Sequence, residues 1–337
     1  MSIEKVAKLA RVSNSTVSRV INDHPRVSPA TVKTVRAAMA TLEYTPSDRR
    51  PGPKPASRAR SETANIAFLL IGVARNATTP AFELLLRGVS SAASDLGANL
   101  AFAHVDEADD VPARIAEQKF DGLLLHGSAP ERTDRLRNHP CVWLMGNRRR
   151  PDWGDQVMPD TYEIGSKAAT YLMGRGHKKL GYLNLDAGHW SFTLARHAFE
   201  SVAANGGANV TVLERPRVET TGYWPAHTAT AAEELVDRLL ALDPRPTGIL
   251  IADDMQSAIL QPLLQRRGVK IGAGHTEIVS VNNEKPYLLG LDPRPAVLDL
   301  RFELVGRRGV EQLLWRIEQT DAPERIITAV EPMLIAD

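Results

Sequence analysis

At 337 residues, 43% of them apolar, the chain is long enough for two or three hydrophobic cores. Its single cysteine, Cys141, excludes an intramolecular disulfide framework, and no apolar run approaches the roughly 20 residues of a bilayer-spanning helix or forms a signal-peptide core at the start, so a cytoplasmic protein off the membrane is expected. The net charge of +1 hides an asymmetry: residues 1–60 carry 12 Lys/Arg against 4 Asp/Glu and the remainder 29 against 36, so a basic head on an acidic body is expected to meet a polyanion.

In chain order, Ser2 is placed to cap a first helix from Ile3 to Ala10, with Ile3, Val6, Ala7 and Ala10 on one face. The turn Arg11-Val12-Ser13 leads into a second helix capped by the Ser13 hydroxyl. Its Val17, Val20 and Ile21 share an apolar face, while Asn14, Ser15, Ser18, Arg19 and Asn22 point outward. Val27-Ser28-Pro29 supplies a cap and a proline at the first position of a third helix, where Val32, Val35, Ala38, Met39 and Leu42 recur at helical spacing. Two short helices joined by a three-residue turn predict a helix-turn-helix.

The next stretch changes character. Arg50-Pro51-Gly52-Pro53-Lys54-Pro55 has three prolines at alternate positions, each removing an amide donor and disfavouring the α conformation of its predecessor, so no helix is expected there. Arg49, Arg50 and Lys54 project from an extended strip.

From Asn65 onward strands and helices alternate. Apolar strands are expected at Ile66–Ile71, Asn99–His104, Gly122–His126, Val142–Met145, Leu180–Leu183, Val210–Leu213, Gly248–Ala252 and Glu277–Val281, with helices at 81–96, 163–175, 191–205, 226–242, 254–267 and 296–319. Alternation over this length predicts two parallel sheets, each covered on both faces, with ligands at the carboxyl ends of strands.

The run Ile3-Glu4-Lys5-Val6-Ala7, Val12-Ser13, Thr16-Val17-Ser18-Arg19-Val20-Ile21-Asn22, Val27-Ser28, Leu42-Glu43-Tyr44 and Pro46 resembles the DNA-binding head of the lactose-repressor (LacI) family. The resemblance continues through Thr79-Pro80-Ala81-Phe82, Asp160, Gly176-His177, Ala252-Asp253-Asp254-Met255, Val279-Ser280-Val281-Asn282 and the closing stretch Ile326 to Pro332. It implies an α/β architecture: an all-α helix-turn-helix head (1–46), a basic Pro-rich linker (47–64), and a two-lobed, periplasmic-binding-protein-like body of Rossmann-like lobes for effector binding and dimerisation (65–337). The implied function is a transcriptional regulator, expected to repress. It would read a pseudo-palindromic double-stranded operator as a homodimer under the control of a small, sugar-like effector.

By the same resemblance, Asn14, Ser15 and Arg19 reach base edges in the major groove, Thr16 and Ser18 lie nearer phosphates, and Asn22 ends the reading surface. Arg11 stands where the family usually has glycine, so it must either accept a positive φ or alter the turn. The family's hinge helix, with its leucine wedge, has no counterpart: no Leu, Ile, Val, Met or Phe lies between Thr45 and Glu62. The Arg50–Pro55 strip is similar to an AT-hook lying in a narrow minor groove, and it is equally readable as a polyproline spacer.

Carried over position by position, the effector cleft would be lined by Phe82, Arg196, Asp253 and Asn282, with Asn147 or Arg148 nearby and Trp190 in the loop before the Arg196 helix. Arg, Asp and Asn would pair with hydroxyls, and Trp would stack on a sugar face. Asp254 is expected to cap its helix, leaving Asp253 for the ligand. Asn282 replaces a carboxylate common in the family, which argues against a cationic effector. Trp153, Tyr223 and Trp224 are readable as further stacking surfaces and equally as core or interface residues. No dinucleotide or P-loop glycine pattern, nucleophile elbow or metal-ligand spacing occurs, so no enzyme activity, cofactor or metal is expected. The alternative, a solute-binding protein without DNA function, would share the body and lack the basic head.

Overall fold

The computed structural model describes residues 3–21, 28–42, 63–72, 79–105, 120–127, 134–146, 153–216, 227–319, 322 and 324–336. The chain divides into two units, Met1–Ser61 and Glu62–Asp337.

In the first unit, α1 (Ile3–Ala10), α2 (Asn14–Ile21) and α3 (Pro29–Thr41) surround Val6, Ala7, Ala10, Val17, Val20, Val35 and Ala38, all buried. Small and β-branched side chains let these short helices approach closely. Each hydroxyl cap predicted within the described residues forms. Thr16 N donates to Ser13 Oγ at 3.2 Å, and Thr31 N donates to Ser28 Oγ at 3.2 Å with Pro29 entering the first turn. Arg11 takes the left-handed conformation, φ 54°, so that Val12 N can donate to Ala7 O at 3.0 Å and close α1. The turn geometry normally given to glycine is therefore kept, at a conformational cost of about 1 kcal/mol.

The second unit holds two sheets. The first is ordered β11-β5-β4-β3-β1-β2, from β1 (Asn65–Ile71), β2 (Asn99–Val105), β3 (Gly122–Gly127), β4 (Cys141–Leu144), β5 (Asp155–Pro159) and β11 (Ile327–Val330), all parallel. The second is ordered β12-β10-β9-β8-β6-β7, from β6 (Lys179–Asn184), β7 (Asn209–Glu214), β8 (Gly248–Ile251), β9 (Glu277–Asn282), β10 (Ala296–Asp299) and β12 (Met333–Ile335); only β12 runs antiparallel. Six consecutive buried residues in β1, Ile66 to Ile71, follow from a strand covered on both faces.

The chain passes between lobes three times: at Pro159–Thr161, between β5 and α6 (Thr161–Gly174); at Leu300–Phe302, between β10 and α11 (Phe302–Glu318); and between β11 and β12. Two of these crossings depend on elements the sequence reading missed. β5 was not anticipated, and residues 296–319, read as one helix, are a strand followed by a helix. The expected single closing strand near 326–332 is two strands, one in each sheet. Glycines set the closest helix contacts. Gly88 of α4 (Pro80–Asp95) and Gly306 of α11 face each other's backbones in the first lobe, and Gly165 of α6 faces α7 (Trp190–Asn205) in the second.

Candidate DNA-reading surface and interlobe cavity

Within α2, burial of Val17 and Val20 turns Asn14 and Arg19 outward, both exposed, with Thr16 half-buried beside its Ser13 partner. Ser15 and Ser18 lie on the same helix. Asn22 and the linker residues Arg49, Arg50 and Lys54 lie outside the described residues. Lys5, Lys8, Arg11, Lys33 and Arg36 are exposed cations on this unit, the electrostatic footprint expected of a phosphate-tracking surface.

In the second unit a cavity of about 250 Å³ opens between the lobes at the carboxyl ends of the strands. Phe82 and Leu85 enter from α4 and His126 from the end of β3. Met145 and Met158 come from the β4 and β5 ends. The second lobe contributes Tyr182 of β6, Trp190 and Phe192 of α7, Ala252 after β8 and Asn282 of β9; Leu300 and Phe302 come from a crossing.

Most polar groups around this space are already engaged. The Tyr182 hydroxyl donates to Phe192 O at 3.1 Å, and Thr79 Oγ1 accepts from Phe82 N at 3.3 Å as the N-cap of α4. His189 Nδ1 and Ser191 Oγ are 2.7 Å apart. Burial lowers the His126 pKa, against a raising contribution from its bond to Leu144 O, so the ring is neutral near pH 7. Its Nδ1 lies 3.0 Å from that carbonyl, which can only accept; Nδ1 therefore carries the proton and Nε2 is an acceptor.

Asn282, at φ 109°, starts a polar chain behind the cavity. Its Nδ2 donates to Glu284 Oε2 at 3.0 Å, and Glu284 Oε1 accepts from Ala81 N, in the first turn of α4, at 2.9 Å. A buried carboxylate of the second lobe thus ties onto the amino end of a first-lobe helix, the end that favours negative charge. Glu284 N donates to Asp254 Oδ2 at 2.6 Å, Ser280 Oγ bonds to Asp254 Oδ1, and Ser280 Oγ and Ser257 Oγ are 2.7 Å apart. Burial raises the pKa of Asp254 to about 8 and that of Asp253 to about 6, and raises that of Glu284.

Phe82, Trp190 and Asn282 line the cavity; Trp190 is the first residue of α7 rather than a loop residue. Two expectations are corrected. Arg196 is held away from the cavity by Glu214, its Nη1 donating to Oε2 at 2.7 Å, with Glu200 also close. Half-buried acidic neighbours outcompete an apolar space for a guanidinium. The cap role expected of Asp254 falls to Asp253, and neither aspartate is among the described lining residues. Asp253 caps α9 (Asp254–Arg266), accepting from Gln256 N at 2.8 Å and Gln256 Nε2 at 2.9 Å, while fully buried Asp254 joins the serine chain. Asn147, Arg148, Tyr223 and Trp224 lie outside the described residues, and Trp153 packs edge-on against Trp143 at 5.3 Å, away from the cavity. His126, Tyr182 and Phe192 escaped the sequence reading. Only His126 sits at a strand end, a signal that could have pointed to it; Tyr182 lies within β6 and Phe192 in the first turn of α7.

Residues 2–47 match the model of bacterial regulatory proteins of the lacI family, and residues 169–336 match that of a periplasmic binding protein-like domain. The head is a LacI-family DNA-binding domain and the body is periplasmic-binding-protein-like. Its curated relatives include the HTH-type transcriptional repressor PurR of Mannheimia succiniciproducens, 25% identical across 99% of this chain and 97% of the relative, and PurR of Vibrio cholerae, 28% identical across 96% and 94%. Among solved structures, the transcriptional regulator CelR–cellobiose complex aligns with TM-score 0.63 at 21% identity, over 100% of this chain and 98% of that one. The lac repressor dimer bound to operator and the anti-inducer ONPF aligns at 0.62 and 20%, with the same coverage, and both likenesses bear on fold. With that head, that body and transcriptional repressors among its relatives, this is a DNA-binding transcription regulator with a ligand-binding regulatory body, and not an enzyme. No described helix is long and apolar enough to cross a membrane.

Proposed function

We propose that the protein is a cytoplasmic, homodimeric repressor whose hold on a pseudo-palindromic operator is set by a small molecule bound between the lobes. The observation that carries the DNA side is α2: Arg19 and Asn14 stand exposed on a helix whose opposite face is locked in a core. Arg19 is suited to bidentate contact with a guanine, and Asn14 and Ser15 to neighbouring base edges. By the family resemblance Thr16 and Ser18 would meet phosphates, with Asn22, Arg49, Arg50 and Lys54 as further candidate DNA contacts.

On the effector side, a ligand touching both Phe82 and Asn282 acts on the two ends of the Ala81–Glu284 tie. Favouring one lobe spacing over the other requires different affinity for the two states, and that difference bounds the change in operator affinity. The sugar expected from the family would bring several hydroxyls into a space whose polar lining is mostly engaged already, so an uncharged effector with few polar atoms fits the lining better.

Selection of the full-length protein against a randomised duplex pool tests the DNA side. Two inverted half-sites are expected. Enrichment without dyad symmetry, or none over non-specific duplex at physiological salt, would contradict it.

A further inference from the structure

The space between the lobes has a chemistry more selective than its location. Phe82, Trp190, Phe192 and Phe302 bring aromatic surface, and Leu85, Met145, Met158 and Leu300 bring aliphatic surface. No Arg, Lys, Asp or Glu is among its described lining residues. The nearest buried carboxylates are spent elsewhere: Glu284 on Ala81 N and Asn282 Nδ2, Asp254 on Glu284 N and Ser280, Asp253 on Gln256. An ion entering this space would lose its hydration without a charged partner.

Against that apolar wall stands one acceptor of fixed identity. Because Nδ1–H of His126 is committed to Leu144 O, Nε2 must accept, and the bond to Leu144 O is the one hydrogen bond the ring makes among the described residues. The ring lies against Phe82, centroids 5.7 Å apart and planes inclined by 31°, so it is held at the edge of an aromatic slot. A dry cavity of about 150 Å³ admits benzene, and scaling to the roughly 250 Å³ present here gives room for about ten heavy atoms, two fused rings.

We propose that the effector is an uncharged, flat aromatic molecule of about two rings carrying one hydroxyl-type donor that hydrogen-bonds to His126 Nε2. The inference rests on reading this cavity as the effector site and specifies what that site accepts. A donor on the ring edge satisfies the His126 acceptor, and the ring faces meet Phe82 and Trp190. Donor-less analogues leave Nε2 unpaired, and charged analogues meet no opposite charge on the described wall.

The test is calorimetric titration of the full-length protein with 2-naphthol, 2-methoxynaphthalene, 2-naphthoate, 2-(aminomethyl)naphthalene, ribose and cellobiose, on wild type and His126→Phe. 2-Naphthol is expected to bind wild type at least tenfold more tightly than any of the others. His126→Phe is expected to erase most of the difference between the naphthol and its methyl ether while leaving the ether's affinity within about twofold. Tighter binding of either charged naphthalene or either sugar, or equal affinity of wild type for naphthol and ether, would overturn the proposal. The wild-type naphthol–ether pair decides the matter even if the variant does not fold. Operator binding by the same ligand-free preparation tests the regulator reading separately: a protein that binds its operator and ignores 2-naphthol refutes the effector class alone.

Discussion

Gly165→Ala offers a direct test of how the second lobe is built. A Cβ at Gly165 would fall 2.0 Å from Ala195 O, 2.5 Å from Phe199 N and 2.9 Å from the Ala198 Cβ. The first two are backbone atoms of α7, so no flexible side chain can swing aside. Ordinary carbon–oxygen contacts begin near 3.3 Å, so α6 must retreat by roughly 1 Å along an interface of small residues: Gly165, Ala168 and Ala169 against Ala195, Ala198 and Ala203. That retreat opens voids beside the added methyl, and overpacking at a well-packed site costs about 1–3 kcal/mol, here at the upper end. For a body of this size, 3 kcal/mol lowers the melting temperature by roughly 6–12 °C. Gly174→Ala is the internal control. It lies at the end of the same helix with no neighbour within 4 Å of the added Cβ, and its φ is not positive, so a gain of about 0.5 kcal/mol is expected from reduced unfolded-state entropy. Scanning calorimetry of the two variants decides; a Gly165→Ala melting point within 2 °C of wild type would refute the packing argument.

Asp254 should leave a signature in the pH dependence of stability. Its folded pKa, about 8, exceeds its ordinary value of 3.8, so between these limits the native state keeps a proton the unfolded chain has released. Stability therefore falls as pH rises through that window, by about 1.4 kcal/mol per unit at most. Asp254→Asn reproduces the protonated form, accepting from Glu284 N and donating toward Ser280; its melting temperature should fall less than that of wild type between pH 5 and 8, and parallel curves would contradict the assignment. Asp155→Ala removes the partner of Arg316, whose Nη2 and Nε donate to it at 2.6 and 3.0 Å, and strands a guanidinium at 12% exposure; a loss of about 3–5 kcal/mol in urea unfolding is expected, and one under 1 kcal/mol would show the pair to be dispensable. Arg196→Ala, by contrast, should leave the 2-naphthol affinity within about twofold, because Glu214 already holds that side chain outside the cavity; a tenfold loss would return Arg196 to the site.

The head was legible because its signals are local. Ser13 and Ser28 are caps by type and position, Pro29 marks a first turn, and Val17, Val20 and Val35 repeat at helical spacing. Even the strained Arg11 was foreseeable from a turn that needs a positive φ. The sheets were legible for a similar reason: a strand buried on both faces reads as an unbroken apolar run, as in Ile66 to Ile71. β5 was hidden because Asp155 and Gln156 open it with polar side chains buried by tertiary partners, Asp155 by Arg316 and Gln312. β10 was hidden because Ala296 to Leu300 runs into Phe302 with spacing a helix also satisfies.

The cavity residues divide along the same line. Phe82, Trp190 and Asn282 came from position in the chain. The roles of Arg196, Asp253 and Asp254 turned on which neighbours the fold supplies: Glu214 for the arginine, Gln256 for the first aspartate, Ser280 and Glu284 for the second. His126 was invisible because its value as an acceptor depends on the Leu144 carbonyl fixing its tautomer.

The central claim, that α2 reads sequence through Arg19, is tested most directly by fluorescence anisotropy on the selected operator and on a set of its single-base-pair substitutions, with wild type and Arg19→Ala. One G·C position per half-site is expected to lose its discrimination, about 1–3 kcal/mol, in the variant while the remaining positions keep theirs. Uniform weakening at every position, accompanied only by a shallower salt dependence, would place Arg19 on phosphate and contradict the reading.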